Sequence, residues 1–251
     1  MKKLLLVLIV FFSFGITAIA EENNETKDCF EGLNRATFSL NQTLDKAIFE
    51  PVAKGYRHLP TAVRKGLGNG VNNLSNLVTV PNNLLQGEGK KAGKNIFRFA
   101  INSTVGIFGI FDPAAKLGFE ADQKEDYGQT LGAWGVKSGC YIVLPIFGPS
   151  TVRDSIGTIT NVIGGDPWYN MTMANDTNYF KESDYWATKG TSGVNFRAKN
   201  IESFDSVEKN AIDLYASVRS LYLQDRKQKV LNSKKVTETM DDSDWEEIST
   251  D

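Results

Sequence analysis

The sequence predicts an all-α protein. Apolar residues recur at three- and four-residue spacing through most of residues 29–232, only Tyr141-Ile142-Val143-Leu144 has strand character, and neither an internal repeat nor a βαβ alternation occurs. The chain has 251 residues, 41% of them hydrophobic, with 28 basic against 30 acidic side chains, which excludes a disordered polyampholyte, a coiled coil and a multi-pass membrane protein.

The N-terminus reads as a secretory signal peptide over residues 1–20: Lys2 and Lys3, an apolar run from Leu4 to Phe12, then Ala18 and Ala20 at the positions a signal peptidase reads, with cleavage between Ala20 and Glu21. The run is shorter than the ~20 residues of a membrane-spanning helix, though extending it through Ile19 approaches that length and leaves an uncleaved anchor as the alternative. Cleavage removes two lysines and takes the formal charge from −2 to −4. Residues 21–28 contain no apolar side chain and are expected to form a solvated leader. Export places Cys29 and Cys140 in an oxidising compartment, where they could form one disulfide; spacing alone does not bring their Cα atoms together.

The folded part is expected to begin at residue 29. Phe30, Leu33, Thr37, Leu40, Leu44 and Ile48 lie on one face of a helix that Pro51 should limit. Further helical pieces are expected near Thr61–Val78, Lys90–Ser103 and Thr151–Val162, punctuated by Pro60, Pro81, Pro113 and Pro149. A closing helix is expected from the capping-box spacing of Asp205 and Glu208 through Val207, Ala211, Leu214, Val218, Leu221 and Tyr222. Residues 233–251 should be an acidic, disordered tail, since Met240–Asp251 holds six carboxylates and no base.

Two segments fit neither helix nor ordinary loop. In Val105-Gly106-Ile107-Phe108-Gly109-Ile110-Phe111-Asp112-Pro113, large apolar residues alternate with two glycines that permit a sharp turn or close approach. One reading is a core hairpin; the other is an apolar loop that touches lipid, through Gly106, Ile107, Phe108, Gly109, Ile110 and Phe111. Tyr141–Pro149 is the second such stretch, and two of them are hard to hide in one small core.

No catalytic constellation emerges. Walker A, GxSxG, HExxH and CxxC sequences are missing, and Gly66-Leu67-Gly68-Asn69-Gly70 is GxGxG without a preceding strand. The single histidine, His58, is the one residue on which a hydrolase could be built. Asp122, Glu125 and Asp126 cluster, but with Gln123 and Lys124 they read as a solvated helix turn rather than a metal site. No cofactor, metal or nucleic-acid partner is expected.

At this point the chain resembles the MlaA (VacJ) phospholipid-transport family. The resemblance is carried by Phe30-Glu31-Gly32-Leu33-Asn34-Arg35, Asp45, Pro51-Val52-Ala53, Asn102–Ile107 with Phe111–Ala114, Asp126–Gly132 with Trp134-Gly135-Val136, Leu144-Pro145, Gly148–Asp154, and Tyr215, Arg219 and Tyr222. It implies a compact ring of amphipathic helices around a central amphipathic channel, lying at the inner leaflet of the outer membrane against a porin. It also implies a non-enzymatic function: removing mislocalised phospholipid from the outer leaflet and passing it to a periplasmic carrier protein. Members are commonly lipoproteins, whereas here Ala18-Ile19-Ala20 ends the signal and no lipobox precedes Cys29. Both cysteines stand where relatives are expected to carry proline, which favours their pairing. Asn24, within Glu22-Asn23-Asn24-Glu25-Thr26, fits the acidic glycosylation acceptor that some bacteria use. The alternatives are a structural adaptor that binds a porin and a His58-dependent phospholipase.

Overall fold

The computed structural model describes residues 26–173 and 179–231; the expected signal peptide with Ala20 and Glu21, Asn24 and the acidic tail from residue 233 lie outside the described residues. Helix α1 (Glu31–Leu44) runs through one π-helical turn (Asp45–Phe49) into α2 (Glu50–Arg57). Pro51 therefore does not end the first helix as expected. Its missing N–H falls at the first turn of α2, where the ladder has shifted so that Glu50 N–H bonds to Asp45 O, and no helical donor is lost that the π turn had not already displaced.

Pro60 then precedes α3 (Thr61–Leu85), which also outruns its expected end by continuing through Pro81. The adjacent Asn82 donates its Nδ2 to Val78 O at 2.8 Å, within the turn that carries the proline. A short turn containing Gly87, at φ 77°, reverses the chain into α4 (Gly89–Thr104), and α3 packs along α4. The apolar segment follows, then a single turn α5 (Pro113–Lys116), an irregular stretch, and α6 (Tyr127–Ala133).

Strands β1 (Tyr141–Leu144) and β2 (Gly148–Thr151) form an antiparallel hairpin, Tyr141 opposite Thr151 and Leu144 opposite Gly148. The Thr151 hydroxyl caps α7 (Val152–Thr160), which passes through a second π turn into α8 (Pro167–Met173). Helices α9 (Glu182–Lys199), α10 (Ile201–Asn210) and α11 (Leu214–Leu231) complete the chain. The single closing helix expected from residue 205 is thus two. Asp213 accepts from Ala216 N and starts α11, while Glu208, expected in a capping box, pairs with Lys46.

Cys29 and Cys140 are joined as a disulfide with their Cα atoms 5.6 Å apart. It lies beside a polar zipper in which Asn34 donates to Tyr141 O and accepts from Val143 N, and Asn41, two helical turns on, does the same with Leu144 O and Ile146 N. The described end of the leader is not a free solvated strand: Lys27 O accepts from Tyr141 N and Asp28 accepts from Asn34 and Tyr215.

Among the described residues the apolar clusters are two and small, one of Ala53, Ala198 and Ile201, the other of Tyr141, Val143 and Tyr215 with Phe38, Tyr222 and Leu223. Most of the interior is polar instead.

Candidate functional site

The buried stripe of α3 is Gly66, Gly68, Asn73, Asn76, Thr79, Asn82 and Asn83, and that of α4 is Ala92, Asn95, Arg98 and Asn102. Both follow helical spacing, but the face turned inward is the polar one. Leu67, Leu84, Leu85, Ile96 and Phe97 point outward, as do Leu33 and Leu40 of α1 and Ile48 of the π turn. Most of the inward amides find partners across the interior: Asn95 Nδ2 bonds to Asn83 Oδ1 at 3.0 Å, Asn73 Nδ2 to Ser103 Oγ at 2.8 Å, and the Thr130 hydroxyl to Asn82 Oδ1 at 2.5 Å, while Asn73 Oδ1 is buried without one. Each bond offsets the cost of withdrawing an amide from water, which makes a polar interior tolerable.

The apolar segment sits at the end of these two helices and turns its side chains out. Phe108 is 81% exposed and Val105 69%, with Ile107, Ile110 and Phe111 about half exposed. Ile107 and Phe108 both adopt φ 54°, a left-handed conformation that costs an L-residue roughly 1–2 kcal/mol. Backbone bonds hold them there: Phe108 N to Ser103 O, Gly109 N to Asn102 O and Phe111 N to Gly106 O, at 2.7–3.0 Å. The two glycines are required by space. A Cβ on Gly106 would stand 2.5 Å from Asn102 O, and one on Gly109 2.5 Å from the Asn73 side chain. Of the two sequence readings, a core hairpin between two helices is overturned, because these side chains are exposed and an apolar knuckle projects instead.

Polar side chains anchor the knuckle from behind. Asp112 accepts from Arg98 Nη2 and Asn102 Nδ2, both at 2.9 Å, and from Ala115 N. Burial pushes its carboxyl up, but these bonds outweigh burial and hold it below the usual carboxylate range. Asn69 reaches Ile110 O from α3, and Gly66 and Gly70, one turn apart, let α3 approach Ile110 and Phe108. The GxGxG sequence is therefore a packing face within a helix. The β-hairpin ends in a second exposed apolar tip, Ile146 and Phe147, with Ile146 at φ 68°.

The carboxylate cluster expected to be a solvated turn is largely internal. Glu125 is buried, and burial raises its carboxyl. Lys124 enters the polar interior to bond Asn72 O and Asn76 Oδ1, and burial lowers its ammonium to about 8. Asp126 caps α6 and takes two bonds from Arg226, which also reaches Asp154. Arg153 and the Tyr222 hydroxyl complete that network on Asp154. Nothing in the spacing announced this clamp; the sole signal was that Asp126, Asp154 and Tyr222 belong to the blocks that carry the resemblance. His58 lies at the exposed end of α2, where its Nδ1 pairs with Lys54 O at 2.9 Å. Among the described residues no three His, Cys, Asp or Glu side chains are grouped to hold a metal ion, and no helix is long and apolar enough to cross a membrane.

Comparison with known proteins agrees with this architecture. Residues 26–229 match the family described as MlaA lipoprotein. The chain is 32% identical to the intermembrane phospholipid transport system lipoprotein MlaA of Haemophilus influenzae, over 94% of each chain. It is 30% identical to the Escherichia coli protein of the same name, over 84% of this chain and 81% of that one, and 35% identical to an uncharacterized protein of Rickettsia bellii, over 82% and 78%. A structure solved under the heading "Structural basis for maintenance of bacterial outer membrane lipid asymmetry" superposes with a TM-score of 0.68 at 27% identity, covering 81% of this chain and 99% of that one. An inverted helical shell, an anchored apolar knuckle and matches spanning nearly every described residue lead to one conclusion: the chain belongs to the MlaA lipoprotein family.

Proposed function

We propose that this protein is a phospholipid-transfer component of the outer membrane, working on its periplasmic side without covalent chemistry. It takes mislocalised phospholipid from the outer leaflet and passes it to a periplasmic carrier, and an outer-membrane porin holds it in place. The observation that carries this reading is the inverted amphipathicity of α3 and α4, polar inside and apolar outside, in a chain whose described residues contain no spanning helix. In water such a shell exposes its apolar faces at a cost; in a leaflet the same faces are solvated by acyl chains while the polar interior offers a headgroup an alternative to hydrocarbon. The helices are thus expected to form a ring around an amphipathic channel.

The need for such a path can be sized. Two chains of ~16 carbons would expose ~32 methylenes in water at ~0.8 kcal/mol each, on the order of 25 kcal/mol, so unassisted escape is negligible. The two exposed knuckles, Ile107–Phe111 and Ile146–Phe147, supply membrane contact that does not depend on acylation of Cys29, whose sulfur is committed to Cys140.

The test is the phospholipid content of the outer leaflet in cells with the gene, without it, and with Phe108→Asp at equal protein level. Loss of the gene should raise outer-leaflet phospholipid, and the variant should resemble the deletion. Unchanged lipid in the deletion strain refutes the reading. His58→Ala should leave lipid content as in wild type; loss of function there would point to phospholipase chemistry.

A further inference from the structure

Two clefts among the described residues bear on where a ligand could bind. One, of about 220 Å³, is lined by Asp126, Asp154 and Arg226, whose charges are spent on one another. The other, of about 370 Å³, lies between the start of α3, the apolar knuckle and α5 and falls within the roughly 300–1,000 Å³ of ordinary ligand sites. Its lining divides by chemistry. Lys65 and Lys116 bring two ammonium groups, exposed and without a carboxylate partner among the described residues; Val105, Ile110 and Phe111 form an apolar flank. The one carboxylate in the lining, Asp112, is already bound by Arg98 and Asn102.

We infer that this cleft receives the phosphodiester of a phospholipid headgroup between Lys65 and Lys116 while the acyl chains leave over the Val105–Phe111 knuckle. The inference rests on the phospholipid-transfer reading and deepens it. Two unneutralised cations beside an exposed apolar surface match a ligand that is anionic at one end and hydrocarbon at the other. A soluble anion has no use for the flank, and a neutral lipid has none for the lysines. Because the contact is to the phosphate, the site accepts phospholipids regardless of the alcohol they carry. The floor is preformed: Asn69 holds Ile110 O at 3.1 Å, and a Cβ at Gly66 would lie 3.1 Å from the Ile110 side chain, so α3 and the knuckle already touch at the base of the cleft.

Titration calorimetry of the full chain in lipid-free nonionic detergent tests this with three probes: a short-chain phosphatidylcholine, the diacylglycerol with the same chains, and inorganic phosphate. Lys65→Gln with Lys116→Gln should weaken phosphatidylcholine binding about tenfold, or ~1.4 kcal/mol, leaving diacylglycerol affinity unchanged. Lys65→Arg with Lys116→Arg should restore it. Both lysines are exposed, so the thermal midpoint of each double variant should match wild type. Wild-type phosphatidylcholine affinity in the glutamine variant overturns the cleft assignment while leaving lipid transfer intact. Inorganic phosphate binding as tightly as the lipid overturns it in favour of a free-anion site. A wild-type protein that binds neither lipid overturns the transfer reading as well.

Discussion

Replacing Arg226 by methionine removes the cation that ties α11 to α6 and α7 and leaves the stem. Its guanidinium makes two bonds to Asp126, at 2.7 and 3.0 Å, and two to Asp154, at 2.8 and 3.1 Å. Stranding a wholly uncompensated buried charge costs about 3–5 kcal/mol. Two facts reduce that here: Asp154, with a side chain only 7% exposed, keeps Arg153, and Asp126, 40% exposed, gains access to water. The expected loss is about 2–3 kcal/mol, which for a chain of this size lowers the melting temperature by about 5–10 °C. For both carboxyls burial acts upward, but the Arg226 interactions prevail and hold them below their ordinary range. The stabilisation is therefore complete above the unfolded carboxylate value of about 3.9 and is lost as pH falls through the depressed folded values. Thermal denaturation followed by far-ultraviolet circular dichroism in detergent should show a constant gap between wild type and Arg226→Met from pH 5 to 8, closing below about pH 4. A deficit under ~1 kcal/mol at pH 7, or a gap that does not narrow at all as pH falls below about 4, would refute the clamp.

Asn34→Leu should cost about 2–3 kcal/mol by leaving Tyr141 O and Val143 N without their side-chain partner, seen as a lower denaturation midpoint and faster amide exchange at Val143. Gly109→Ala should lose about 1–3 kcal/mol, since φ 88° and the Asn73 side chain both reject a Cβ; an unchanged midpoint argues against the knuckle geometry. Reducing Cys29–Cys140 opens a loop with ends 111 residues apart and should destabilise by up to about 4.7 kcal/mol, with oxidised and reduced midpoints compared directly. Phe108→Asp should release the protein from phospholipid vesicles in a flotation assay, because it removes most of the ~2 kcal/mol that an exposed phenyl ring gains on leaving water and adds a charge.

How much of this was legible in the sequence depends on what each signal measures. Helical periodicity located α1, α3, α4 and α7, and β-branched residues located β1. The ends differ from expectation where a helix accommodates a proline: the π turn at Asp45–Phe49 absorbs Pro51, and α3 runs on through Pro81. The break before α11 was missed because Asp213 caps it from within a stretch whose apolar spacing runs on unbroken. The knuckle is visible as a composition anomaly, and the close approach its two glycines permit is present in the structure. The Asp126–Arg226–Asp154 clamp was not, since its members lie 72 and 100 residues apart and pair only through tertiary structure.

The deeper ambiguity concerns direction. A three-and-four pattern says that a helix has two unlike faces; it is blind to which face turns inward, because periodicity carries no sign. For a protein folding in water the apolar face goes in by default, and Leu33, Leu40 and Ile48 would then form a core. Here they are exposed while Asn34 is buried, and along α3 the outward Leu67 and Leu84 flank an inward run from Asn73 to Asn83. What decides the sign is whether the polar side chains have partners. Asn83 with Asn95, Asn73 with Ser103, Asn82 with Thr130 and Asn102 with Asp112 are cross-element pairs, so the polar faces are complementary to each other, while the apolar faces have no complement among the described residues. An unmatched apolar exterior needs a surrounding that is itself apolar, and a bilayer leaflet supplies it without any helix having to cross.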